Sequence, residues 1–153
     1  MKVEYINSFY KAVQDVFKLM LDLEIERKDL KVVEESIEGN DANIMLGITG
    51  DLKGSVFFSF TKDMSLEMVK IMSGMEMKEI DMFVSSALGE VVNITGGNAL
   101  IDLNKYDYTC DITTPQVILG HCQSVSISND KAVVIPMTTD IGEFDVTISL
   151  SDS

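Results

Sequence analysis

Apolar residues recur every three or four positions at the start of the chain. Tyr5, Phe9, Ala12, Val13, Val16, Phe17 and Met20 form one stripe, which predicts a helix over residues 3–23. Residues 31–37 read as a strand with Val32, Val33 and Ile37 as its apolar members, and a Glu38-Gly39-Asn40-Asp41 turn follows. Two alternating segments, 43–49 and 55–60, flank Gly50-Asp51-Leu52-Lys53-Gly54 and predict a hairpin with a loop longer than two residues. Asp63 or Ser65 is expected to cap a short helix running to about Met72, which Ser73-Gly74 stops. A longer helix is expected from Asp81, its cap, to Leu103. The remainder reads as strands over 106–112, 116–119, 122–128, 132–137 and 144–150, with Pro115 and Pro136 at strand starts, edges or bulges.

The long helix carries more polar chemistry than its burial requires. At 100° per residue, Ser86, Glu90, Asn93 and Gly97 fall within about 60° of one another. Val84, Leu88, Val91, Val92, Thr95 and Ala99 lie roughly opposite and are the expected core face. A hydroxyl, a carboxylate and an amide therefore stand in a row, with Gly97 leaving bare backbone that a partner can approach. Gly89, Gly96 and Gly97 each cost the helix about 1 kcal/mol relative to alanine. Close packing or close approach must offset that cost.

Composition narrows the partners. A chain of 153 residues with 46% hydrophobic content is expected to form one domain across residues 1–153. The net charge of −13 and the absence of a basic cluster argue against nucleic acid. No apolar run reaches membrane-spanning length and the N-terminus lacks signal-peptide zones, so no membrane partner and a cytoplasmic location are expected. The acidic groups at 22–26, 34–38 and 140–145 read first as solubilising charge, and second as steering for a basic partner.

Two segments overlay two others. Residues 45–60 align without a gap on residues 135–150, matching Val56 with Val146, Phe58 with Ile148 and Phe60 with Leu150. In the helices, Ser86, Glu90 and Asn93 overlay Ser8, Ala12 and Asp15. One half of this apparent duplication thus holds a Glu/Asn pair that the other lacks.

Ser86-x-x-x-Glu90-x-x-Asn93, followed by Thr113-Thr114-Pro115, resembles the signature of the CheC/CheX/FliY family of chemotaxis phosphatases, and Gly47-Ile48-Thr49-Gly50-Asp51 and Asp111-Ile112 fit the same pattern. The resemblance implies an α+β fold: a CheC-like, pseudo-duplicated domain with long helices on an antiparallel sheet. With only one complete pair, the chain matches the one-site, CheX-like subtype. It further implies a phosphatase that removes the phosphoryl group from phosphorylated CheY or a similar receiver domain. In that reaction the missing parts are a positioned water in line with the breaking bond and stabilised charge on the transferring oxygens. Asn93 can hold that water while staying neutral beside the phosphoryl group. Glu90 can pair with the lysine beside the receiver's phosphorylation site. Ser86 and Gly97 are expected to contact the partner. No cofactor is expected on this chain; Mg²⁺ belongs to the receiver. A homodimer is expected, with an edge within residues 122–150. The competing reading is a non-catalytic module that binds a receiver or flagellar partner.

Other features carry less. Met64, Met68, Met72 and Met75 recur at helical spacing and read as core. His121 stands alone, and Cys110 and Cys122 have no ligand spacing, so buried thiols are expected.

Overall fold

The computed structural model describes residues 1–34, 36–120, 125–126 and 131–152. In chain order the elements are α1 (Val3–Leu21), β1 (Glu26–Arg27), β2 (Lys31–Val33), β3 (Ser36–Ile37), β4 (Ala42–Gly50), β5 (Leu52–Phe60), α2 (Lys62–Ser73) and α3 (Met82–Asn104). Then follow β6 (Cys110–Ile112), β7 (Gln116–Leu119), β8 (Val125–Ser126), β9 (Ala132–Thr139) and β10 (Gly142–Asp152). An antiparallel sheet in the order β1-β9-β10-β5-β4-β6 forms one layer, with β2 also on β9 and β7 also on β4. The three helices lie against it, so the fold is α+β as the resemblance implies.

The apolar periodicities explain the layers. Ile44, Leu46 and Ile48 of β4, Val56, Phe58 and Phe60 of β5, and Phe144, Val146 and Ile148 of β10 sit two apart and bury one face of the sheet. Against them α1 lays Phe9, Val13, Val16 and Phe17, and Phe17 stacks on Phe144 with ring centroids 5.0 Å apart. Met64 and Met68 are fully buried, which bears out the core reading of that stripe; Met75 is exposed.

The two hairpins stand side by side, joined through β5 and β10. Phe57 pairs with Thr147, and the residues on either side pair so that position i of β5 relates to position i + 90 of β10 about that point. This is the spacing of the 45–60 and 135–150 overlay. The hairpin at 42–60 pairs from Ala42↔Phe60 to Ile48↔Gly54, leaving residues 49–53 as its connection. The ends beyond that pairing are used elsewhere: Gly50 pairs with Cys110 and Leu52 with Asp152.

Several expectations need correction. Thr61, not Asp63 or Ser65, caps α2, its hydroxyl accepting from the Met64 N–H at 3.1 Å; Ser65 donates back to the Thr61 carbonyl. Asp81 caps α3 as expected, accepting from the Val84 N–H at 2.9 Å. Residues 31–37 do not form one strand, because β2 pairs with β9 whereas β3 pairs with β8 in a separate two-stranded sheet. Residues 106–109 form no strand. The N–H groups of Tyr106, Asp107 and Tyr108 instead bond the last carbonyls of α3, with Asp107 left-handed at φ 70°. Of the strand expected at 122–128 only β8 falls among the described residues, and His121 and Cys122 lie outside them. Over residues 132–148 the expected edge is covered, since β9 lies between β10 and the strands β1 and β2, and β10 lies there between β9 and β5. Pro136 lies between the stretches of β9 that pair with β1 and with β2, where its carbonyl accepts from Lys28 N–H at 2.8 Å.

Candidate functional site

The α3 periodicity holds across the motif. Val84, Leu88, Val91, Val92, Thr95 and Ala99 are all fully buried, while Ser86 and Glu90 are exposed and Asn93 is half-buried. The three glycines separate by what lies beside them. A Cβ on Gly96 would stand 2.6 Å from Leu46 Cδ1, so this glycine lets α3 settle onto β4. Gly89 is buried under the 113–117 segment, with Val117 and Pro115 at ordinary contact distance from a built Cβ. Gly97 has nothing within 4 Å of that position.

A cleft of about 560 Å³ opens along this face of α3. Met82, Ser85, Ser86, Gly89, Glu90 and Asn93 line one wall, and Ile112, Thr113, Thr114, Pro115 and Val117 line the other. The structure therefore brings Ser86, Glu90 and Asn93 together and sets the Thr-Thr-Pro segment opposite them. Gly97, one turn beyond Asn93, lies outside the cleft lining.

The facing wall is clamped by residues of β4. Thr113 N–H donates to the Gly47 carbonyl at 2.9 Å, and Gly47 N–H donates to Thr113 Oγ1 at 2.9 Å. A Cβ on Gly47 would meet Thr113 Cγ2 at 2.9 Å, so the clamp needs glycine there. Asn43 is fully buried, and its amide donates to the carbonyls of Asn40, Ile118 and Gly120 at 2.8, 3.0 and 3.2 Å. Sequence reading missed Asn43. An Asn in an alternating strand reads as exposed, and only the register of β7 beside β4 turns it inward onto carbonyls.

Among the described residues Glu90 is the only charged side chain lining the cleft, and no described Lys or Arg lines it. A single carboxylate and an amide are a thin donor set for Mg²⁺, which favours six oxygen ligands. Among the described residues no group of three His, Cys, Asp or Glu is placed to hold a metal ion. No described helix is long and apolar enough to cross a membrane.

The half with Ala12 and Asp15 is built differently. Ser8 is fully buried and donates to Asp102 Oδ2 at 2.8 Å. Lys11 and Lys105 stand 3.5 and 3.7 Å from Asp102 Oδ1. The Ser8 hydroxyl, and after it Lys11 and Lys105, hold the Asp102 carboxyl below its usual range against the opposing effect of burial. Ala12 is buried and Asp15 exposed, beside a groove of about 170 Å³ closed by Asp102 and Ile101. Where α3 presents a carboxylate and an amide to an open cleft, α1 buries Ser8 and Ala12 and leaves only Asp15 exposed beside the smaller groove.

The family model described as chemotaxis phosphatase CheX matches residues 42–138. The CheY-P phosphatase CheX of Thermotoga maritima is 32% identical over 116 residues, covering 75% of this chain and 72% of that protein. A CheC-like superfamily protein from Shewanella sp. PV-4 superposes with a TM-score of 0.89 at 26% identity, over 99% of both chains. The CheX of a CheX–CheY–BeF3–Mg²⁺ complex from Borrelia burgdorferi superposes with a TM-score of 0.78 at 25% identity, over 99% of this chain and 100% of that one.

Proposed function

The chain belongs to the CheX family of chemotaxis phosphatases, and from that premise we propose that it accelerates hydrolysis of the aspartyl phosphate on CheY or a similar receiver domain, in the cytoplasm. Asn93 positions the attacking water, and Glu90 docks the receiver through its lysine. The observation that carries this reading is the charge of the cleft: among the described residues it is lined by one carboxylate, one amide and no cation. Phosphoryl transfer needs positive charge near the transferring oxygens. A site without any suits a substrate that brings its own, as a receiver with a bound Mg²⁺ and a lysine does. The Borrelia complex, in which a CheX stands with CheY, BeF3 and Mg²⁺, supports a CheY receiver as the partner.

An acyl phosphate is already activated, so the chain need supply neither nucleophile nor strong base. Water held by the Asn93 amide attacks phosphorus, the bond from phosphorus to the aspartyl oxygen breaks, the carboxylate stays on the receiver, and inorganic phosphate leaves carrying the water's protons. The half-buried setting of Asn93 between α3 and the clamped Thr113–Pro115 wall limits the orientations its amide can take. Glu90, further out and exposed, is placed for a partner's cation. Ser86 lies on the same face and is given a contacting role only.

Phosphate release from the phosphorylated receiver of the same organism tests the assignment. Asn93→Ala is expected to lower kcat by about 10²-fold or more with receiver affinity retained. Glu90→Ala is expected to weaken affinity as well as rate. Undiminished turnover by the Asn93 variant would remove it from the mechanism. Receiver binding with no release by the unaltered chain would favour the non-catalytic module.

A further inference from the structure

The α3 stripe does not begin at Ser86. Met82 lies one turn earlier, within about 20° of Asn93 around the helix and roughly 16 Å from it along the axis. It is 85% exposed, the most open large apolar side chain among the described residues. Across from it, Leu119 at the end of β7 is 49% exposed. Between them opens a second hollow of about 370 Å³, lined by Ile80, Asp81, Met82, Ser85, Val117 and Leu119. Met82, Ser85 and Val117 line both this hollow and the Glu90/Asn93 cleft, so the two form one continuous trough.

We infer that this apolar end of the trough is the main affinity anchor for the receiver domain, taking an apolar side chain that the receiver carries roughly 12–16 Å from its phosphoryl group. The inference rests on the proposed function and extends it. Magnitudes require such an anchor. Glu90 is exposed, and an ion pair at an open rim raises affinity by less than about tenfold. Burial of one methionine side chain is worth about ten- to a hundredfold. Interfaces draw most of their affinity from a few well-buried side chains near their centre, with charged groups at the rim setting approach and register. The lining selects the occupant as well. Because three residues belong to both hollows, a second copy of this chain seated on Met82 and Leu119 would obstruct the cleft that the receiver must enter.

Met82→Ser/Leu119→Ser, both at exposed positions, tests the inference with phosphorylated CheY from the same organism. The receiver's KM is expected to rise about tenfold or more, with kcat/KM falling in proportion. Met82→Leu, which keeps the apolar contact, is expected to leave KM unchanged. The dissociation constant for the receiver, measured separately by titration, is expected to follow KM. An unchanged KM and dissociation constant in the double variant overturns the inference while leaving the catalytic assignment standing. Loss of Asn93 dependence overturns that assignment, whereas the binding titration still scores the anchor. A fall in the variant's mass by light scattering, with receiver affinity unaltered, overturns it in favour of a contact between copies.

Discussion

At residue scale, the two halves differ in what their polar side chains face. Glu90 and Asn93 look into an open cleft; Ser8 is spent on Asp102 inside the α1–α3 contact. The Ser8 hydrogen bond lowers the Asp102 pKa, so its contribution is present above the ordinary carboxylate range near ~3.9 and is lost as pH falls through the depressed value. Ser8→Ala is therefore expected to raise that pKa and to cost about 1–2 kcal/mol at pH 7. The cost should vanish in acid once Asp102 is protonated in both proteins. Carboxyl titration by NMR locates the Asp102 midpoint, and urea denaturation of the pair at pH 7 and at a pH below that midpoint checks the sign. An equal cost at both pH values would mean that Ser8 acts through packing alone.

At element scale, α3 is a good helix made worse by three glycines, each with a separate setting. Gly96 has a steric role, since its missing Cβ is the space Leu46 occupies. Gly96→Val is expected to destabilise by about 1–3 kcal/mol through overpacking, read from the urea midpoint. Gly97 has no such role. Gly97→Ala, with open space for its methyl, is expected to stabilise the fold by up to ~1 kcal/mol through helix propensity; if Gly97 contacts the partner as proposed from the sequence, KM for the receiver rises as well. A stabilised variant with unchanged KM would remove Gly97 from the partner contact. The periodicity of α3 made its core face legible without a structure. The caps were less so: Thr61, Asp63 and Ser65 all suit an N-cap, and only where the end of β5 releases the chain selects Thr61.

At the scale of the whole molecule, the central β5–β10 pairing joins two like hairpins, and the free sides of the large sheet belong to β1, β2, β6 and β7. The homodimer belongs with the proposed function. We propose that it forms along the short strands β1 and β2, where Val32 is 64% exposed. Light scattering at micromolar concentration is expected to give twice the chain mass, and Val32→Lys to lower it by placing charge on that edge. A monomeric mass for the unaltered chain would set the dimer aside.

The helices, the hairpin at 43–60, the strands at 132–137 and 144–150, and the face of α3 that carries Ser86, Glu90 and Asn93 were legible along the chain. These follow from short-range periodicity, which a chain states locally at spacings of two and three to four residues. Tertiary structure alone decided that Thr113 to Val117 stand opposite that face, that Asn43 and Gly47 clamp the wall, and that Met82 and Leu119 meet across one hollow. Those residues come from separate strands and a helix. Their encounter depends on strand register and helix docking, which are summed over the whole core rather than written in any one segment.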